Sequence, residues 1–304
     1  MSLAIEQLLN GLQFGVMLFL LAAGLTLIFG IMGVINLAHG SIYMLGAFVA
    51  ASATTHGVPF GFALGAGALA AALAGVVIEV VVIRKLYGRN HLDQVLATFG
   101  IILIANDAVT IAWGRTPLQL ALPAALSAPI TLGAITYPSY RLVIIAAGII
   151  IAVGLTLLIA RTRLGMLIRA GATNRELVSA LGVDIIRLNT IVFGIGALLD
   201  GAAGALLAPI LSVQSGMGEQ ILIMTFVAIV VGGLGSIRGA FVGSLLVGLV
   251  DTLGRAYIPA ILHPFVTPDV ADSLGGGLSA VSIYVLMAAV LIWKPRGLFP
   301  VAAR

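Results

Sequence analysis

The sequence predicts an all-α, polytopic transmembrane protein, on three observations. Only 9% of its 304 residues are charged and 61% are hydrophobic, where a soluble domain carries roughly 25% charged residues. Mean hydropathy is +1.20. Apolar runs of about 20 residues recur along the whole chain, each long enough to cross a ~30 Å hydrocarbon core. Barrel strands would alternate polar and apolar positions, and these runs do not, so helices must satisfy their backbone groups in lipid.

The runs fall at 12–34, 36–56, 58–83, 93–113, 141–160, 188–211, 219–237, 239–258 and 277–293. Eight or nine spans are expected. If 12–34 and 36–56 both cross, the N-terminus is outside; if their Gly-rich junction is re-entrant, it is inside, and the sequence leaves both open. The first run has no basic segment ahead of it and no small-residue cleavage site, so it is read as a retained helix. Cysteine is absent, which excludes disulfides, thiolate metal sites and cysteine nucleophiles.

The charges orient these runs. Three segments, 84–91 (RKLYGRNH), 161–189 and the tail 294–304 (opening KPRGLFP), contain Arg84, Lys85, Arg89, Arg161, Arg163, Arg169, Arg175, Arg187, Lys294, Arg296 and Arg304, which is 11 of the 15 basic residues. The positive-inside rule assigns all three to the cytoplasm. The net charge of +4 then reports orientation, not nucleic-acid binding. Parity agrees, because two runs separate the first segment from the second and four separate the second from the tail. The opposite face receives 114–140 and 259–276, whose prolines argue against a long helix in either. The whole chain, 1–304, reads as one membrane domain.

Segment 161–189 concentrates five arginines. Its second half reads as a short capped helix. Thr173 and Glu176 have capping-box spacing, and Gly182 can supply the left-handed residue that ends it. Leu177, Val178 and Leu181 fall on one face, with Asn174 and Arg175 elsewhere. A helix this short is marginal alone. Either it lies on the membrane surface with arginines toward lipid phosphates, or it protrudes into a groove on a cytoplasmic partner.

Glycines interrupt two runs, at 33–40 (GVINLAHG) and 232–239 (GGLGSIRG). Small residues four apart, as in Gly57/Gly61/Gly65 and Gly235/Gly239/Gly243, allow close helix packing. Alternatively the two stretches break their helices and expose backbone to a polar pathway. Candidates for that role are Asn36, His39, Gly40, Gly232, Gly233 and Gly235. Both stretches share G-x-x-G-x-I and precede a GAFV, a weak sign of duplication. Ionisable residues at membrane depth are functional candidates by default: Asp200 is the deepest, Asp107 lies in the outer half of its run, and Glu79, near the cytoplasmic end, can reach the interface or pair with Arg84. No carboxylate pair, metal cluster or Ser/His/Asp set can be argued from spacing, so no enzyme, cofactor or metal is expected. The two lysines, Lys85 and Lys294, stand in no Gly-Lys-Ser/Thr, so the chain has no P-loop for ATP.

Residues 24–48 (GLTLIFGIMGVINLAHGSIYMLGAF), 161–184 (RTRLGMLIRAGATNRELVSALGVD) and 231–243 (VGGLGSIRGAFVG), with the KPRGLFP end, resemble permease subunits of bacterial branched-chain amino acid ABC importers, the LivH-like group, over nearly the whole chain. The resemblance implies that 173–182 is the coupling helix that fits a cleft in an ATP-binding subunit. It implies two such subunits, a second homologous permease (LivM-like), membrane lipid, and an extracytoplasmic substrate-binding protein docking on 114–140 and 259–276. The location implied is the bacterial inner membrane, C-terminus cytoplasmic. Urea and short-chain amide importers have closely similar permeases, which leaves those solutes open. Asp200 stands where the family usually carries a small or apolar residue. That keeps a rival class in view, an ion-coupled secondary transporter using Asp200 or Asp107.

Overall fold

A computed structural model of the chain describes residues 2–34, 36–132 and 135–300; Arg304 of the basic tail lies outside them. Each apolar run becomes a helix. In order the elements are Ser2–Met32 (α1), His39–Thr55 (α2), Phe60–Val81 (α3), a 3₁₀ turn Ile83–Leu86, His91–Trp113 (α4), and Ala124–Ser127 (α5). A hairpin of Pro129–Leu132 (β1) and Ile135–Pro138 (β2) follows, then Ser139–Arg161 (α6), Arg163–Thr173 (α7), Arg175–Ala180 (α8), Ile185–Leu207 (α9), Met217–Gly232 (α10), Ile237–Leu262 (α11) and Pro268–Trp293 (α12). Among the described residues seven helices (α1, α3, α4, α6, α9, α11 and α12) are long and apolar enough to cross a membrane. The nine expected runs thus divide into these seven and two shorter helices, α2 and α10.

Helix ends follow local chemistry. The side chains of Asn90, Asp184 and Ser236 accept from the backbone N–H groups of Asp93, Arg187 and Gly239 at 2.8, 3.0 and 3.1 Å, satisfying donors that the first turn leaves orphaned. The two non-basic segments are more ordered than the prolines suggested. In 114–140, β1 pairs antiparallel with β2, Pro129 opposite Pro138. In 259–276, helix runs through Pro259 to Leu262 and resumes at Pro268, leaving only 263–267 outside helices. Pro268 occupies the start of α12, where a missing N–H costs nothing. Pro259 is accommodated by Gly275 of α12, where a Cβ would lie 2.5 Å from the proline ring.

The chain divides into two compact units. One contains residues up to Ala22, Ala124–Ile149 and those from Met224. Here the early turns of α1 pack on α11: Phe19 and Phe241 meet edge to face at 5.1 Å, and a Cβ on Gly15 would lie 2.8 Å from the Leu245 Cα.

The other unit, Ala23–Pro123 with Ile150–Ile223, is built on α2, α3 and α9 meeting along a seam of small residues. A Cβ on Gly46 would sit 2.5 Å from the Gly201 Cα, on Gly67 2.4 Å from the Gly46 carbonyl oxygen, and on Gly75 2.4 Å from the Ala197 Cβ. Such contacts supply the dispersion that holds helices together where lipid offers no hydrophobic drive. The packing role expected of Gly57, Gly61 and Gly65 is not found: a Cβ on any of them meets nothing within 4 Å. They lie on the turn into α3 and on its outward side, while its glycines at 67 and 75 carry the contacts.

Candidate functional site

The basic segment is almost wholly helical. α6 stops at Arg161, and Thr162 caps α7 by accepting from Gly165 N–H at 3.0 Å. The capping box expected at Thr173 and Glu176 is corrected. Thr173 closes α7, its hydroxyl donating to the Arg169 carbonyl at 2.9 Å. Asn174 is the cap of α8: extended at φ −152°, its side chain accepts from Leu177 N–H at 2.9 Å. Asparagine outranks threonine as an N-cap, and the threonine hydroxyl is used by the helix behind it. Gly182 performs the expected role at φ +85°. Its N–H reaches the Ser179 carbonyl at 2.9 Å and that of Val183 reaches the Val178 carbonyl at 3.3 Å, the paired bonds of a Schellman ending.

The single apolar face expected of α8 is split. Val178 is 6% exposed and turned into the chain, while Leu177 and Leu181 are 58% and 76% exposed and, four apart, share an outward face. Arg175 does not point to lipid: its guanidinium donates to the Ile31 carbonyl at the end of α1, where the helix leaves carbonyls unpaired and favours a cation.

The start of α9 is locked to the end of α3. Glu79, fully buried, accepts from Arg84 Nε at 3.2 Å, Arg84 Nη2 at 3.0 Å, the Tyr87 hydroxyl at 2.5 Å and the Thr190 hydroxyl at 2.8 Å. Burial, and then the hydrogen bond to Glu79, push the Tyr87 phenol well above the usual tyrosine range. Its hydrogen bond to Glu79, and secondarily the pair's charge attraction, raise Arg84 further still. Both stay protonated, so the carboxylate keeps its donors.

The stretch 33–40 is a true helix break, closed by Gly33 at φ +65°; Ile35 lies outside the described residues. Asn36 Oδ1 accepts from Ala38 N–H at 3.1 Å, an Asx-type turn that aims the chain into α2. His39 opens α2, and its Nδ1 approaches Asp200 Oδ2 of α9 to 2.8 Å, both side chains at zero exposure. The approach is off the line of a well-aligned hydrogen bond. Two candidates that sequence treated separately therefore form one buried contact. A Cβ on Gly40 would lie 2.2 Å from the Gly218 carbonyl oxygen, so the N-terminal turns of α2 and α10 meet backbone to backbone. Asp107 joins none of this and is exposed on α4. Its neighbour Asn106 does the work instead, donating to Glu219 Oε1 at 2.5 Å and accepting from Gly216 N–H at 3.2 Å.

The stretch 232–239 also breaks its helix, with Gly233 and Gly235 at φ +109° and +81°. Gly232 packs against Gly239, where a Cβ would lie 2.1 Å from the carbonyl oxygen. The KPRGLFP tail fastens onto this break. Leu298 N–H and Phe299 N–H donate to the carbonyls of Val231 and Gly232, both at 2.9 Å, and a Cβ on Gly297 would lie 2.5 Å from the Gly233 Cα. Sequence reasoning noted both motifs without joining them, since nothing in either signals a backbone pairing.

The family profile described as "Branched-chain amino acid transport system / permease component" matches residues 7–292. The chain is 30% identical to the "High-affinity branched-chain amino acid transport system permease protein BraD" of Pseudomonas aeruginosa, over 97% of this chain and 95% of that protein. It is 30% identical to the corresponding LivH of Escherichia coli, over 84% of this chain and 87% of that protein. A "Probable branched-chain amino acid transport permease protein LivH" of Methanocaldococcus jannaschii is 26% identical, over 93% and 88%. No solved structure matches it.

Proposed function

Because this chain belongs to the family of branched-chain amino acid transport permease components, we propose that it is the membrane-spanning subunit of an ATP-driven importer of branched-chain amino acids and does no chemistry of its own. The observation that carries the coupling role is the outward pair Leu177 and Leu181 on a helix closed at both ends. An exposed leucine pair on a six-residue helix is costly in water, and a cleft in an ATP-binding subunit would cover it. Force applied there would pass into α9, because only four residues join α8 to it and the last of them, Asp184, caps its start. Glu79 with Thr190 would carry the motion to α3, and Asp200 with His39 to α2.

In this reading the three basic segments and the C-terminus face the cytoplasm of a bacterial cell, and 114–140 and 259–276 meet a binding protein outside. A second, homologous permease completes the pathway, two ATPases drive it, and Asn36, His39, Gly40, Asp200 and the break at Gly232, Gly233 and Gly235 are hinges of the motion rather than substrate ligands. The test is gentle extraction of the chain from its own membranes followed by mass spectrometry. Co-purified ATPases and a second permease, with leucine, isoleucine or valine on the binding protein, are expected. A chain that purifies alone and transports in vesicles without ATP refutes the reading; a bound urea or amide corrects the solute.

A further inference from the structure

A cleft of about 370 Å³ opens among the first turns of α1, the start of α6 and the last turns of α11, lined by Gln7, Asn10, Gln13, Arg141, Thr252 and Arg255. Phe14 and Ala256 form the apolar part of its wall. Its size lies at the low end for ligand pockets, roughly 300–1,000 Å³, which suits one small solute better than a docked protein segment. Arg141 and Arg255 are two of the few basic residues outside the three basic segments, so orientation in the membrane does not explain them.

The two guanidiniums are differently placed. Arg255 Nε pairs with Asp251 Oδ2 at 2.9 Å. Arg141 has no carboxylate within ion-pair distance among the described residues; it donates to Asn10 Oδ1, and the Tyr137 hydroxyl donates to the same oxygen at 3.0 Å. The cleft therefore presents one uncompensated positive charge, held in place by a neutral amide and framed by two further amides, Gln7 and Gln13, the latter buried. A planar guanidinium offers a carboxylate two parallel donors, and the carboxylate of a zwitterionic solute would pair with it while its ammonium hydrogen-bonds neutral amide oxygens.

We propose that this cleft receives the α-carboxylate of the amino acid being carried, with Arg141 as its partner, the Gln7 and Gln13 amides facing the ammonium, and Phe14 against the side chain. The assignment rests on the amino-acid reading above. It places the first contact with the permease at the face opposite the basic segments, since α6 begins at this cleft and ends in the segment 161–189.

The test uses the assembled transporter, with its ATPases and second permease, treated with phenylglyoxal, which modifies accessible guanidiniums; sites are mapped by peptide mass spectrometry. Leucine is expected to slow modification of Arg141 several-fold. Leucinamide, which has the same shape without the carboxylate, is expected to leave it unchanged, as both should leave exposed Arg115. Equal labelling of Arg141 with leucine, leucinamide or neither, in a preparation that takes up leucine on ATP, overturns the cleft and leaves the transport function standing. If that preparation takes up no leucine, the function falls, and this inference falls with it.

Discussion

His39 Nδ1 lies 2.8 Å from Asp200 Oδ2, with both side chains fully buried, so the first turn of one helix is pinned to the middle of another at membrane depth. Removing one member of such a contact leaves a buried polar group without its neighbour and costs about 1–3 kcal/mol, whereas replacing both by apolar residues can be close to neutral. Asp200→Leu and His39→Leu are each expected to lower the melting temperature of the purified protein, and the double variant to recover most of the loss. A double variant less stable than either single one would mean that the two side chains do not act as a pair.

The split face of α8 separates folding from the proposed coupling role. Leu177→Asp or Leu181→Asp is expected to abolish ATP-driven uptake with membrane insertion and melting temperature near those of the parent. Val178→Asp buries a charge and is expected to lose the folded protein itself, read as a low yield of monodisperse material. Normal uptake in both leucine variants would remove the coupling assignment.

Close backbone approach makes glycine substitutions informative in opposite directions. Gly40→Ala places a Cβ 2.2 Å from the Gly218 carbonyl oxygen and is expected to cost about 1–3 kcal/mol, the range for overpacking. Gly61→Ala meets open space within α3 and is expected to be neutral or to gain about 0.5–1 kcal/mol in helix propensity. Thermal melts of both variants in one detergent give the comparison.

The Glu79 cluster has a pH signature. The folded state holds the Tyr87 phenol above its usual range. A raised pKa means that its contribution is fully present below the ordinary value of about 10 and is lost as pH climbs past it. Wild-type stability relative to Tyr87→Phe is therefore expected to be flat from neutrality to about pH 10 and to decline above it. A difference that stays constant above pH 10 as well would place the phenol outside the cluster.

The helices were readable because membrane spans announce themselves through length and apolarity, and the end of α8 because Gly182 is a strong local signal. Thr173 misled because two candidate caps stood side by side, and a choice between them depends on which helix claims the hydroxyl. Pro259 misled because the relief came from Gly275 on another helix. The meeting of His39 with Asp200, and of the tail with Val231 and Gly232, depends on tertiary packing, which carries no local spacing to detect. Gly61 and Gly46 look alike in sequence; only the neighbouring helix tells them apart.

The discontinuity of the first unit also sets a clock on biosynthesis. Its opening residues, up to Ala22, pack with segments that begin at Met224, about 200 residues later, and ribosomes add about 5–20 residues per second. The N-terminal helix must therefore persist for about 10–40 seconds before these later companions exist, with only Ala124–Ile149 of its unit made in between, and the break at Gly232 and Gly233 is fastened only when Leu298 and Phe299 emerge. That joint therefore stays open through some sixty residues of further synthesis, about 3–13 seconds at the same rate, and truncation from Gly297 onward would leave it unclosed.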